Sequence, residues 1–295
     1  MRTNIPDTTI GVMGGSGLYD MQGLSQVVER VIETPFGAPS DAIVTGELDG
    51  VPVAFLARHA RGHRLTPSEI PFLANIWAMK SLGVKYLISV SAVGSLQEEA
   101  APRDAVLPDQ VIDQTRGRAR SFFGDGAVVH ASLADPICPA LLDVVWQAAQ
   151  KTGFGRGRVH RGGTYLCIEG PQFSTRAESQ MFRQWGATVI GMTNMPEARL
   201  AREAEIAYAT LALVTDYDCW RPRTEAVTAE IAIANLMENA RHAQEVIREA
   251  VQSLANKPVE STAHNALSVS FVTPPAMMSE SIRARLAPIL KKYLA

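Results

Sequence analysis

The 295-residue chain is 46% hydrophobic and 20% charged, and its 28 Lys and Arg against 30 Asp and Glu leave a formal net charge of -2. That much apolar material builds a sizeable core and excludes a disordered chain, while the near-neutral balance excludes a global field that would draw nucleic acid or an anionic membrane. Three scattered cysteines, Cys138, Cys167 and Cys219, form no C-x-x-C pair, which argues against a disulfide framework or a zinc site and for a reducing, cytoplasmic setting. The first residues lack the apolar core of a signal peptide, and no window approaches 18 uninterrupted apolar residues, so neither secretion nor membrane insertion is expected.

In chain order, residues 9–13 form an apolar run that passes straight into Gly14-Gly15-Ser16-Gly17, a buried strand followed by an anion-sized turn. The loop lacks the Gly-Lys-Ser/Thr of a P-loop and the last glycine of a dinucleotide fingerprint, so on its own it is equally a tight turn. Residues 42–48 and 51–57 flank Asp49-Gly50, a strong hairpin signal, and the second strand delivers Arg58-His59. Thr66-Pro67-Ser68-Glu69 combines an N-cap, a proline for the first helical position and a capping-box glutamate, predicting a helix to about Ser81. Residues 84–90 predict a buried strand, and Ser91-Ala92-Val93-Gly94-Ser95 a small-residue loop after it.

The Arg- and Gly-rich stretch 113–130 predicts irregular chain, and residues 139–152 a helix. Thr175 and Glu178 form a second capping box, opening a helix to about Trp185; 188–192 predicts a short strand and 196–204 a capped helix. A buried strand over 207–214 ends in Thr215-Asp216-Tyr217-Asp218-Cys219-Trp220. Long helical periodicity follows over 228–254, is broken at Lys257-Pro258, and gives way to a proline-rich linker and a terminal amphipathic helix over 279–294. The expectation is an α/β fold, a mixed, largely parallel central sheet flanked by helices on both faces, with a domain over 1–256 and a C-terminal extension over 257–295.

Strand ends carry the chemistry. Ser16, Arg58-His59, Ser91 and Thr193 bring hydroxyls and a guanidinium fork to such junctions, and hydroxyls, a fork and glycine-turn N–H groups are what an oxyanion such as phosphate requires. His59 and His63 are four apart, but Gly62 and Pro67 oppose a helical metal pair and there is no H-E-x-x-H, so no metal is expected. A period of two places Asp216 and Asp218 on one side of a strand at its C-terminal edge, where ligands gather in open α/β sheets. Taken alone, such a pair reads more readily as a solvated acidic loop.

Seven segments then appear in an order that resembles the trimeric purine nucleoside phosphorylases: Gly14-Gly-Ser-Gly17, Thr34-Pro-Phe-Gly37, Arg58-His59, Ser91-Ala-Val-Gly-Ser95, Glu169-Gly-Pro-Gln-Phe173, Met192-Thr193 with Pro196-Glu197, and the segment from Thr215 to Trp220. The last is similar to the methylthioadenosine-cleaving branch of that family. The likeness covers residues 8–250 and is poor beyond Lys257. It implies phosphorolysis of 5′-methylthioadenosine to adenine and 5-methylthioribose-1-phosphate by a homotrimer, with phosphate as co-substrate and no cofactor. By resemblance Ser16, Arg58, His59, Ser91, Ala92 and Thr193 hold phosphate, and Phe173 and Met192 pack on base and ribose. The resemblance also implies that His130 reaches the 5′ end of a neighbouring subunit's substrate and that Ala229 and Ile233 line the methylthio pocket. Ser16 and Ser91 stand where many relatives have Thr, which keeps the hydroxyl.

The aspartates fit this chemistry on physical grounds. Adenine offers an N6 amino donor beside an N7 acceptor, so one carboxylate accepts from N6 while a protonated carboxyl donates to N7; a 6-oxopurine is better served by Asn. Asp216 is accordingly the expected general acid and Asp218 the base-recognition residue, with an exchange of those roles left open. The rival readings are a purine nucleoside or methylthioinosine phosphorylase and, from another class, a non-catalytic nucleotide-binding module.

Overall fold

Eleven strands among the described residues form one mixed sheet: β1 (Ile10–Gly14), β2 (Leu24–Arg30), β3 (Ile43–Leu48), β4 (Val51–Ala57), β5 (Tyr86–Ser95), β6 (Ala105–Leu107), β7 (Gln110–Gln114), β8 (Val159–Arg161), β9 (Thr164–Ile168), β10 (Val189–Gly191) and β11 (Ala207–Asp216). The computed structural model describes residues 9–15, 21–221 and 229–294; over 229–236 only the side chain of Asn235 is described. Parallel pairs join β4 to β1, β1 to β5, β5 to β11, β6 to β8, and β10 to β9 to β7, while β2, β3 and β4 form an antiparallel meander. Asp49 and Gly50 both take positive φ in the β3–β4 turn, as a two-residue hairpin of matched twist requires.

The helices are α1 (Phe72–Ser81), α2 (Pro139–Thr152), α3 (Arg176–Gln184), α4 (Asn194–Glu203), α5 (Ala229–Asn256), α6 (Glu280–Arg285) and α7 (Ala287–Leu290). α1 packs with α4 and α2 with α5, and α2, α4 and α5 all contact β11. β11 is buried from Ala207 through Thr215, side chains of both faces included, which only a strand covered on both sides can be.

Three local expectations are corrected. Glu69 does accept from the Thr66 N–H and hydroxyl at 2.9 and 2.7 Å, but α1 starts only at Phe72. Pro71 lacks an N–H and keeps Ile70 out of the helical region, so the capped turn cannot propagate. The small residues Ser91 to Ser95 are no loop: they are the second half of β5, which runs beside β11 and then pairs antiparallel with β10 through Gly94 and Ser95. The single terminal helix is two short ones, interrupted at Leu286, because Pro288 removes a helical donor.

Residues 257–294 lie against the body of the fold. Tyr86 Oη donates to the Val259 carbonyl at 2.7 Å and Trp77 Nε1 to that of Arg285 at 2.9 Å, while Leu267, Met278, Leu286 and Leu290 are buried in the same core as the sheet.

Candidate active site

The C-terminal ends of β4, β5 and β11 and the segments after β9 and β10 open onto one cavity of about 540 Å³, within the usual size of a small-molecule site. Its walls include Arg58, His59, Ser91, Ala92, Phe173, Met192, Thr193, Asp216 and Asp218, so nine of the expected site residues converge there. Gly15 also reaches the wall, whereas Ser16 lies outside the described residues. Ala229 and Ile233 are on α5, their side chains outside the described ones; Ala240, farther along that helix, does line the cavity. His130 is exposed and away from the cavity walls, with its backbone N–H donating to Ser270 at 2.9 Å.

The two aspartates arrive together, though not by strand alternation. β11 carries a bulge after Val214 that sets Asp216 opposite Gly94, and the strand ends there; Asp218 is brought back by its own left-handed turn, φ +52°. Asp216 accepts from the Thr215 hydroxyl at 2.7 Å and from the Asp218 N–H at 2.8 Å. Asp218 accepts from the hydroxyl of Ser179, a fully buried residue on α3, whose start is fixed by the Thr175 and Glu178 capping box. Burial pushes both carboxyls above the usual range, and the neighbouring Asp218 charge adds to the rise at Asp216.

At Ser91, three residues and about 10 Å of strand from Gly94, the chemistry changes. The Ser91 hydroxyl is 3.0 Å from both Thr193 Oγ1 and Tyr165 Oη, a buried hydroxyl cluster open to the cavity. Burial lifts the Tyr165 phenol to about 12, so it is a neutral donor or acceptor. His59 is lowered to about 4, chiefly by burial and further by the Arg58 charge, and is neutral near pH 7. Its Nδ1 lies 2.9 Å from the Leu65 carbonyl, which can only accept, so Nδ1 carries the hydrogen; its ring stacks on His63 at 4.2 Å.

Arg58 is 1% exposed and its fork is turned to Glu197, with Nε–Oε2 at 2.5 Å and Nη2–Oε1 at 2.8 Å. Nη2 also meets Ser89 Oγ and the Met13 carbonyl, and Nη1 donates to the Val90 carbonyl at 3.1 Å. One Nη1 hydrogen has no acceptor among the described residues. Arg58 therefore stands in the cavity wall as a charge paired with Glu197 rather than as a free fork.

The sequence does not single out residues in and behind the cavity wall that bear on it. Tyr165, behind Ser91, sits in an apolar strand that betrays nothing of its partners, and the buried Ser174 hydroxyl in the wall has no partner among the described residues. Gly94 is explained by space: a Cβ there would lie 2.9 Å from Asp216 Oδ1 and 3.3 Å from Asp218 Cβ. Among the described residues no group of His, Cys, Asp and Glu is arranged to hold a metal ion, and no helix is long and apolar enough to cross a membrane.

Residues 9–252 match the model of the Phosphorylase superfamily. An S-methyl-5′-thioadenosine phosphorylase of Synechocystis is 58% identical over 96% of this chain and 87% of its own length. The crystal structure of a methylthioadenosine phosphorylase from an antarctic soil metagenomic library, also 58% identical, superposes with a TM-score of 0.94 over 97% of this chain and all of that one. A variant of the Schistosoma mansoni adenosine/methylthioadenosine phosphorylase in complex with adenine is 32% identical, with a TM-score of 0.81 over 96% of this chain and 98% of its own. With its sheet, its cavity and these likenesses in agreement, the chain belongs to the phosphorylase superfamily.

Proposed function

We propose that this protein cleaves 5′-methylthioadenosine with phosphate, releasing adenine and 5-methylthioribose-1-phosphate, a pentosyl transfer of purine and methionine salvage. The observation that carries the reading is the pair of buried carboxyls, both pushed toward their protonated forms, sharing one cavity with a cluster of hydroxyls beside Arg58 and His59. In this reading protonated Asp216 donates to N7 as the C1′–N9 bond breaks and its electron pair passes to the purine. Asp218, held by Ser179, accepts from N6. A phosphate oxygen bonds to C1′; the anion is bound by Ser91, Thr193, the Ala92 segment and the Arg58 charge, with Ser16 from the glycine turn, while the bare Nε2 of neutral His59 accepts from the O–H of hydrogen phosphate. Phe173 and Met192 wall the base and sugar, and Ala229 and Ile233 the methylthio group.

The likeness to methylthioadenosine phosphorylases in name and fold supports the substrate. The same reading has residues 1–256 as the phosphorylase domain and 257–295 as its extension, no cofactor, phosphate being a co-substrate, a cytoplasmic location, and a homotrimer in which His130 completes a neighbour's site. The deciding assay supplies methylthioadenosine or methylthioinosine with and without phosphate. Rapid adenine release that requires phosphate, with hypoxanthine release far slower, is the expected result; equal rates, or release without phosphate, overturn it.

Gly94→Ala follows from the same arrangement. The added methyl presses on Asp216 and Asp218, and the expected outcome is a turnover lowered about ten- to a hundredfold with the melting temperature little changed. Steady-state adenine release beside a thermal melt checks it; wild-type turnover means the carboxyls are not held where the reaction needs them.

A further inference from the structure

Arg118 lies in the stretch that the sequence presents as irregular, yet its side chain is 1% exposed. Nη1 donates to the carbonyls of Met192 and Met195 at 2.7 and 2.6 Å, and Nη2 to those of Glu169 and Ile168 at 2.7 and 3.4 Å. Nε meets Glu169 Oε1 at 3.2 Å, and the guanidinium lies 5.4 Å from the centroid of the Phe72 ring. The four carbonyls flank the two chain segments that leave β9 and β10, and those segments carry Phe173, Met192 and Thr193.

The Glu169 carboxylate completes the junction. It accepts from the Ser68 hydroxyl and the Arg116 N–H, and from the Gly117 N–H at 3.1 Å, so it ties the Thr66–Glu69 turn and the 116–118 chain to the same point. Burial alone would raise its pKa, but these donors and Arg118 hold it down at about 2, and it remains a carboxylate at any working pH. The close fit extends to Gly170, where a Cβ would lie 2.6 Å from Met192 Sδ.

We propose that Arg118, paired with Glu169, is the positioning residue of the nucleoside wall: it fixes the ends of β9 and β10 relative to each other and so sets where Phe173, Met192 and Thr193 face the cavity. Arg118 does not itself line that cavity. It binds four main-chain carbonyls that would otherwise compete for few donors, and a planar fork with five N–H groups meets that need where the three donors of a lysine, converging on one atom, do not. Asp216 and Asp218 stand on a different strand end and are held by Thr215 and Ser179, so the junction governs the wall and not the acid.

The proposal rests on the phosphorylase reading for its kinetic consequence only. Arg118→Lys and Arg118→Met are compared with the parent in the methylthioadenosine assay and by amide hydrogen exchange. The expected result for Arg118→Lys is a folded protein whose KM for the nucleoside rises about tenfold or more, with the pH dependence of kcat unmoved. Exchange should accelerate over 168–173 and 192–195 but not over 216–219, with a larger effect in Arg118→Met. Unchanged KM and exchange in the folded Lys variant overturn the proposal, as does a loss seen only as a smaller active fraction. A parent that fails to cleave methylthioadenosine overturns the phosphorylase reading instead, and the exchange pattern still decides the role of Arg118.

Discussion

Asp216→Asn is expected to lower phosphate-dependent turnover of methylthioadenosine by about 10²- to 10⁴-fold, the usual contribution of a positioned general acid. The amide has nearly the same shape and its oxygen still accepts from the Asp218 N–H, but it has no acidic proton for N7. The sign of the pH dependence follows from the raised pKa. The folded Asp216 keeps its proton to higher pH than an ordinary carboxyl, so the parent is most active below the raised value and loses activity as pH rises through it. The variant lacks that limb.

Stability should move the other way. A folded pKa above the unfolded 3.8 gives a contribution that is full below 3.8 and is lost as pH rises through the folded value, so at neutral pH the buried carboxyl is a burden that the neutral amide removes. Asp216→Asn should therefore be at least as stable as the parent at pH 7 while nearly inactive. Adenine release across pH, beside denaturant unfolding, checks both halves. A variant of near-parental activity that retains the alkaline limb would return the general-acid role to Asp218.

The residues legible in advance were those whose local sequence carries their meaning. Asp49-Gly50 needs positive φ wherever it sits between two strands, and the Thr175 box forms both of its bonds because nothing nearby opposes it. The Thr66 box was equally well formed in sequence, and a proline five residues on decided the outcome. Ser91 to Ser95 misled for a different reason. Their small side chains suggest a loop, but the run pairs with β10 and β11, and at Gly94 the two aspartates leave no room for a larger residue. The anion and purine residues were recognisable as a set of motifs, but Tyr165 and Arg118 were not, since each acts through partners tens of residues away in the chain.

Arg58→Ala is expected to destabilise the fold by about 3–5 kcal/mol, the usual consequence of stripping one partner from a buried ion pair. Glu197, wholly buried in the first turn of α4, would keep only the Ser89 and Tyr208 hydroxyls at 2.8 Å to answer its charge. A poor phosphate affinity in that variant would thus report lost structure as much as lost binding. The double variant Arg58→Met, Glu197→Met separates the two, because it removes both charges, keeps most of the volume and leaves no unpaired ion. It should regain most of the stability while its KM for phosphate stays raised, since the guanidinium in the cavity wall is still missing. If the double variant recovers phosphate affinity along with stability, Arg58 is there to hold β4 to α4 and the phosphate relies on the hydroxyls and His59. If single and double variants are as stable as the parent, water reaches the pair and the buried geometry is wrong.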